Sequence, residues 1–152
     1  MKKFIFIFIL ICISQITWAS DLQIINNIEG QGVEIVNHSK IKAHYIGMLE
    51  DGAKFDSSYD RGEPFSFQIG LRQVIEGWEK GIIGMKVGGK RKLIIPPELG
   101  YGERGAGELI PPNSTLVFDI EIIDVQPPLY NLITTDEIQN LLKDNYKFID
   151  IR

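Results

Sequence analysis

Residues 44–78 read H-Y-I-G-M-L-E-D-G-A-K-F-D-S-S-Y-D-R-G-E-P-F-S-F-Q-I-G-L-R-Q-V-I-E-G-W. Just before and within the start of this run, Ala43, Tyr45, Gly47 and Leu49 alternate with His44, Ile46 and Met48, which predicts a strand over 41–50. Glu50-Asp51-Gly52 supplies a turn. Phe65, Phe67 and Ile69 then alternate with Ser66 and Gln68, the pattern of a strand with one buried face. Gly70 and Gly81 bracket a short helix over 74–80, in which Val74 and Trp78, four residues apart, share a side. Aromatic residues gathered around one acidic side chain, Asp56, are how a small apolar pocket with a polar contact point is built.

Outward from this run, 33–36, 90–96 and 115–125 have strand character. In the last, Leu116, Phe118, Ile120 and Ile122 face inward while Asp119 and Glu121 face out. Residues 21–28 show no clear pattern. Four or five strands and one short central helix predict an α+β domain with an antiparallel sheet. Pro127-Pro128 closes it, because two consecutive prolines cannot continue a sheet ladder. Beyond, Thr134-Thr135-Asp136-Glu137 is a capping-box pattern that opens a helix with Ile138, Leu141 and Leu142 on one face, and 147–151 reads as a strand.

Composition bounds the function. A chain of 152 residues, 44% apolar and 24% charged, is one domain with a core and a short appendage. Lys2 and Lys3 precede an unbroken apolar run, 4–13, and the small-residue pattern Thr17-Trp18-Ala19. This reads as a signal peptide over 1–19, rather than a membrane anchor, because the run is about half the roughly 20 residues a spanning helix needs. The expected location is periplasmic or secreted, with no stable membrane insertion after cleavage. Cleavage also removes Cys12, the only cysteine, and with it any thiolate nucleophile or internal disulfide. It leaves the chain two units more negative than its net −4, which argues against nucleic acid and anionic membrane as partners.

Read with the later Y-G-E-R-G-A-G-E-L-I-P-P-N-S-T-L-V-F-D (101–119), the aromatic run closely resembles the FKBP family of peptidyl-prolyl cis/trans isomerases. The likeness covers residues 32–125. It implies a sheet wrapped around one short helix over 32–126, preceded by a segment over 20–31 and followed by a helix-strand appendage over 127–152. It further implies pocket walls at Tyr45, Phe55, Phe65, Val74, Ile75, Ile110 and Phe118, with Trp78 as a floor under the proline ring. Tyr101 would donate a hydrogen bond to a substrate carbonyl, Asp56 would sit beside the twisting amide, and the Ile75 N–H would be a further donor. Two readings of Asp56 stand together: a participant at the amide, or a turn residue that bonds its own backbone and pairs with Arg61. Many eukaryotic members carry His-Pro where this chain has Ala106-Gly107, and Glu108 replaces a small residue, which bears on substrate preference and macrolide affinity.

The implied chemistry is physically sufficient. Rotation about an X-Pro bond faces a barrier of roughly 18–20 kcal/mol, although cis and trans differ by only about 0.5–1 kcal/mol. The twisted amide has lost its resonance and is less polar than either planar form. An apolar cavity therefore favours it, at about tenfold in rate per 1.4 kcal/mol. No metal or cofactor is required. The expected partners are proline-containing polypeptide clients, with an apolar residue before proline preferred, and macrolide inhibitors such as rapamycin. A monomer is expected, since no long dimerisation helix precedes the domain. The alternative is a non-catalytic module or holdase that grips proline-containing segments.

Other signals weigh less. Residues 84–91, G-M-K-V-G-G-K-R, approach a P-loop, but Arg91 replaces the Ser or Thr and a strand follows. His38 and His44 lack the neighbours a metal site needs. The tail, from Ile133-Thr134-Thr135-Asp136 to Asp150-Ile151-Arg152, looks like the opening of a rhodanese domain over about twenty residues. A helical appendage packed on the isomerase domain explains it equally well.

Overall fold

The computed structural model describes residues 21–129 together with Gln139 and Lys143, both helical and exposed. Residues 1–19, read from the sequence as a signal peptide, and the rest of the helix and strand expected in the tail lie outside the described residues. Six strands make one antiparallel sheet: β1 (Gln23–Ile28), β2 (Lys40–Leu49), β3 (Lys54–Ser57), β4 (Phe65–Gln68), β5 (Lys90–Ile95) and β6 (Leu116–Gln126). The order is β1-β5-β6-β2-β3, with β4 also paired to β2. The axis of the sheet is β2, whose alternation makes it amphipathic along its whole length. One edge pairs with β6 from Lys40↔Gln126 to Leu49↔Leu116, and the other is divided between β4 and β3.

The alternation seen in the sequence sets the inner face. Ile41, Ala43 and Tyr45 of β2 are buried with Leu116, Phe118, Ile120 and Ile122 of β6 and Leu93 and Ile95 of β5. Across them lies α2 (Glu76–Gly81). Two glycines let it come close: a Cβ on Gly77 would stand 2.4 Å from Ile95 Cγ2, and one on Gly81 2.5 Å from Leu93 Cδ1. Trp78, only 3% exposed, is thereby pressed into the sheet. Arg91 holds the far end of the helix, donating to the carbonyls of Gly81 at 2.6 Å and Ile83 at 3.4 Å.

Four details differ from the sequence reading. Residues 23–28, read as patternless, form β1 in the same sheet as the rest, paired to β5. Ile24, Ile25 and Ile28 are all exposed, so no buried face imposes alternation and the strand rests on main-chain pairing. A second helix, α1 (Ser58–Arg61), replaces the expected turn. The Ser57 hydroxyl accepts the Tyr59 N–H, and Gly62 ends the helix at φ 74°, a conformation glycine adopts without strain. Residues 33–36 contribute a single bridge, Glu34↔Lys86, although Ile35 is fully buried and its N–H meets the Met85 carbonyl at 2.7 Å. Finally, α2 starts at Glu76, leaving Ile75 extended as its N-cap.

Candidate functional site

On the inner face the aromatic side chains converge on one ring. Tyr45 and Phe118 stand edge-on to Trp78 at 5.3 Å, nearly perpendicular, with Phe67 at 5.5 Å and Phe65 at 6.4 Å. Edge-to-face geometry places the positive ring edge against the negative face, and it leaves the rings as walls rather than a closed stack. The result is a cavity of about 430 Å³. Trp78 lies at its base, Tyr45, Phe55, Phe65 and Phe118 line it from the sheet, and Val74 and Ile75 line it from the loop before α2. Phe55 reaches the cavity through a gap: Gly47 has no side chain where a Cβ would lie 2.7 Å from the Phe55 ring and 2.9 Å from Phe118.

The loop carrying Val74 and Ile75 is pinned at both ends by side chains. The Glu79 carboxylate accepts the Gly70 N–H at 2.8 Å and the Arg72 N–H at 3.1 Å, and Gln73 Oε1 accepts the Gln68 N–H at 2.8 Å. The Ile75 carbonyl receives the Trp78 and Glu79 N–H groups that open α2. Among the described residues no group accepts the Ile75 N–H.

Polar groups occupy one side of the mouth. The Tyr45 hydroxyl and the Arg61 guanidinium both donate to the Asp56 carboxylate, the Ser57 N–H donates to it at 2.8 Å, and Arg61 also donates to the Tyr45 oxygen at 2.8 Å. The guanidinium lies 5.5 Å from the Tyr45 ring centre. Burial alone raises the Asp56 pKa, but the hydrogen bonds from Tyr45 and Arg61 outweigh it, and the net shift is downward from 3.8. Asp56 is therefore held as an anion at neutral pH. Burial raises the Tyr45 phenol above 10, helped by the bond to Asp56, and Tyr101 is raised by burial and then by the Asp56 charge. Both hydroxyls keep their protons at neutral pH. Tyr101 sits at the start of a one-turn 3₁₀ segment, Gly102–Arg104, and lines the cavity beside Asp56 and Arg61.

The residues named from the sequence thus meet in one cavity, with one exception. Ile110 is 7% exposed and belongs to the core cluster; it does not line the cavity. Its N–H and carbonyl close a tight two-bond ladder with Ala106, at 3.1 and 2.9 Å. Of the two readings of Asp56, the structure shows the contacts of the turn residue: its carboxylate accepts the next backbone N–H, of Ser57, and pairs with Arg61, while also lining the cavity. Gln73 was missed, because an exposed loop glutamine carries no pattern. Arg61 was read only as a pairing partner; its place five residues after Asp56 was the available signal.

Comparison with known proteins agrees with this geometry. A family model described as FKBP_C, FKBP-type peptidyl-prolyl cis-trans isomerase, matches residues 32–123. Over 93 residues the chain is 59% identical to FK506-binding protein 2 of Dictyostelium discoideum, covering 61% of this chain and 70% of that one. It is 56% identical over 97 residues to an FK506-binding protein of Neisseria meningitidis, covering 64% and 89%. Among solved structures, AtFKBP13 superposes with a TM-score of 0.66 at 50% identity, over 71% of this chain and 95% of the other. FkpA from Escherichia coli gives 0.64 at 49% identity, over 71% and 49%. A cavity walled by aromatic edges, a sheet of this order and sequence identity above one half converge, and the chain belongs to the FKBP-type peptidyl-prolyl cis-trans isomerase family.

Proposed function

We propose that the chain isomerises X-Pro bonds of folding polypeptides by seating the proline ring over Trp78 and desolvating the amide as it twists. The observation that carries this reading is the cavity itself, apolar on its base and walls and polar at one side of its mouth. Rotation needs no bond to break. The apolar walls favour the twisted amide over the more polar planar forms, while Tyr101 and the Ile75 N–H hold the flanking carbonyls. Asp56, fixed as an anion by Tyr45 and Arg61, presents a constant field to the rotating carbonyl. A peptide with an apolar residue before proline is the preferred substrate, and rapamycin competes for the same walls.

The test is an exchange assay on Leu-Pro and Glu-Pro peptides. Acceleration of the Leu-Pro exchange above the buffer rate, abolished by rapamycin, is the expected result. A folded protein without acceleration would establish a binding module instead. Export belongs to the same proposal, supported by the basic and apolar pattern of residues 1–19. Mass spectrometry of the secreted protein should give a chain beginning at Ser20, and light scattering a monomer.

A further inference from the structure

Gln73 lines the proline cavity and also a second depression of about 300 Å³ on the opposite, outer face of the sheet, reached round the edge strand β4 and formed by Lys40 and Lys42 of β2, Gln68 of β4, and Asp124 and Gln126 of β6. The geometry points to this depression as a subsite for the client chain flanking the proline, selective for acidic residues; it rests on the isomerase reading of the cavity.

Three observations carry it. First, the two depressions lie on opposite faces of the sheet but Gln73 lines both at the edge of β4, so a chain leaving one over Gln73 enters the other by passing round that edge. From Phe65 to Gln68 is three residues of strand, about 10 Å, which an extended client covers in about three residues. Second, β4 offers a backbone contact on the way. The Gln68 N–H is left out of the ladder with β2 and is taken by the Gln73 side-chain amide oxygen at 2.8 Å. A client carbonyl can take that donor when Gln73 swings aside, which is strand addition at an edge. Third, the charge is biased. Lys40 and Lys42 have no ion-pair partner among the described residues, and although Asp124 stands across from Lys42 in register, no salt bridge joins them. Two ammonium groups against one carboxylate leave a locally positive spot on a chain whose net charge is −4.

The experiment measures kcat/KM on three sets of substrates: a short Ala-Leu-Pro-Phe peptide, and longer peptides carrying either Glu-Asp or Lys-Lys about three residues before or after the proline. Wild type is compared with the double variant K40E/K42E, whose altered residues lie outside the proline cavity. Wild type should prefer one of the acidic peptides over its lysine counterpart by about three- to tenfold. K40E/K42E should lose or invert that preference while turning over the short peptide as wild type does. Equal preference in the two proteins overturns the subsite. A preference that responds to the substitutions only after residues 130–152 are removed assigns the depression to the chain's own C-terminal segment, and also overturns it. Failure of wild type on the short peptide would instead overturn the isomerase reading on which the subsite rests.

Discussion

The behaviour of single residues follows from their partners. Tyr101 and Asp56 contribute polar contacts at the cavity mouth, and Tyr101 is 41% exposed. Tyr101→Phe and Asp56→Ala should therefore each lower kcat/KM by about five- to tenfold, the equivalent of one ordinary hydrogen bond, with little change in a thermal melt. Unchanged rates in both variants would mean that desolvation alone carries the acceleration. The pH dependence has a definite sign. Asp56 titrates below its ordinary 3.8, and Tyr45 and Tyr101 above 10. The cavity groups thus keep one charge state from about pH 5 to pH 9, and kcat/KM for a peptide without titratable groups should be level over that range. The same shift bears on stability only slightly, because the Asp56 side chain is 41% exposed: its small contribution is present above the ordinary carboxylate range and is lost as pH falls through its lowered folded value. An acid titration of the folding equilibrium in wild type and Asp56→Asn should show the two curves converging at low pH.

At the scale of elements, the placement of α2 decides the site. The helix is six residues long and could not hold its form alone; it is held by the sheet beneath, by Glu79 at the preceding loop and by Arg91 at its end. Its glycines are spacers. Alanine is the better helix former by about 1 kcal/mol, yet a Cβ on Gly77 would collide with the fully buried Ile95. Gly77→Ala should therefore destabilise the fold by about 1–3 kcal/mol in urea unfolding and reduce activity, because Trp78 moves with the helix. A stabilised variant would show that Ile95 yields and that the helix is not tightly docked.

For the whole molecule, core and cavity share residues. Phe118 is 4% exposed, contacts Trp78, Tyr45 and Phe55, and pairs with Gly47 and Leu93 in the sheet. Phe118→Ala should cost about 3–5 kcal/mol by chemical denaturation as well as activity, unlike the two polar variants. The far end of the chain behaves differently. The cavity lining ends at Phe118 and β6 ends at Gln126. A chain cut after Gln126 should fold and isomerise a Leu-Pro peptide at the full-length rate. Loss of folding on truncation would make the segment 127–152 an integral part of the core.

Much of this was legible in the sequence because alternation is a local record of burial. The inner face of β2 and β6, the strand at Phe65, and the side of Trp78 that meets the sheet follow from side-chain periodicity, and the order of aromatic and polar residues from Tyr45 to Phe118 resembled one family closely enough to name the cavity. Elements held by other forces left no such record. Strand β1 exposes its isoleucines and is bound to β5 by main-chain pairing, and α1 is one turn made by a cap and a glycine. Only the tertiary structure decided that Ile110 turns into the core, that Asp56 is gripped by both Tyr45 and Arg61, and that Gln73 divides two depressions. Those contacts join residues distant in the chain or set by loop geometry, and neither distance nor loop shape is written in a periodic pattern.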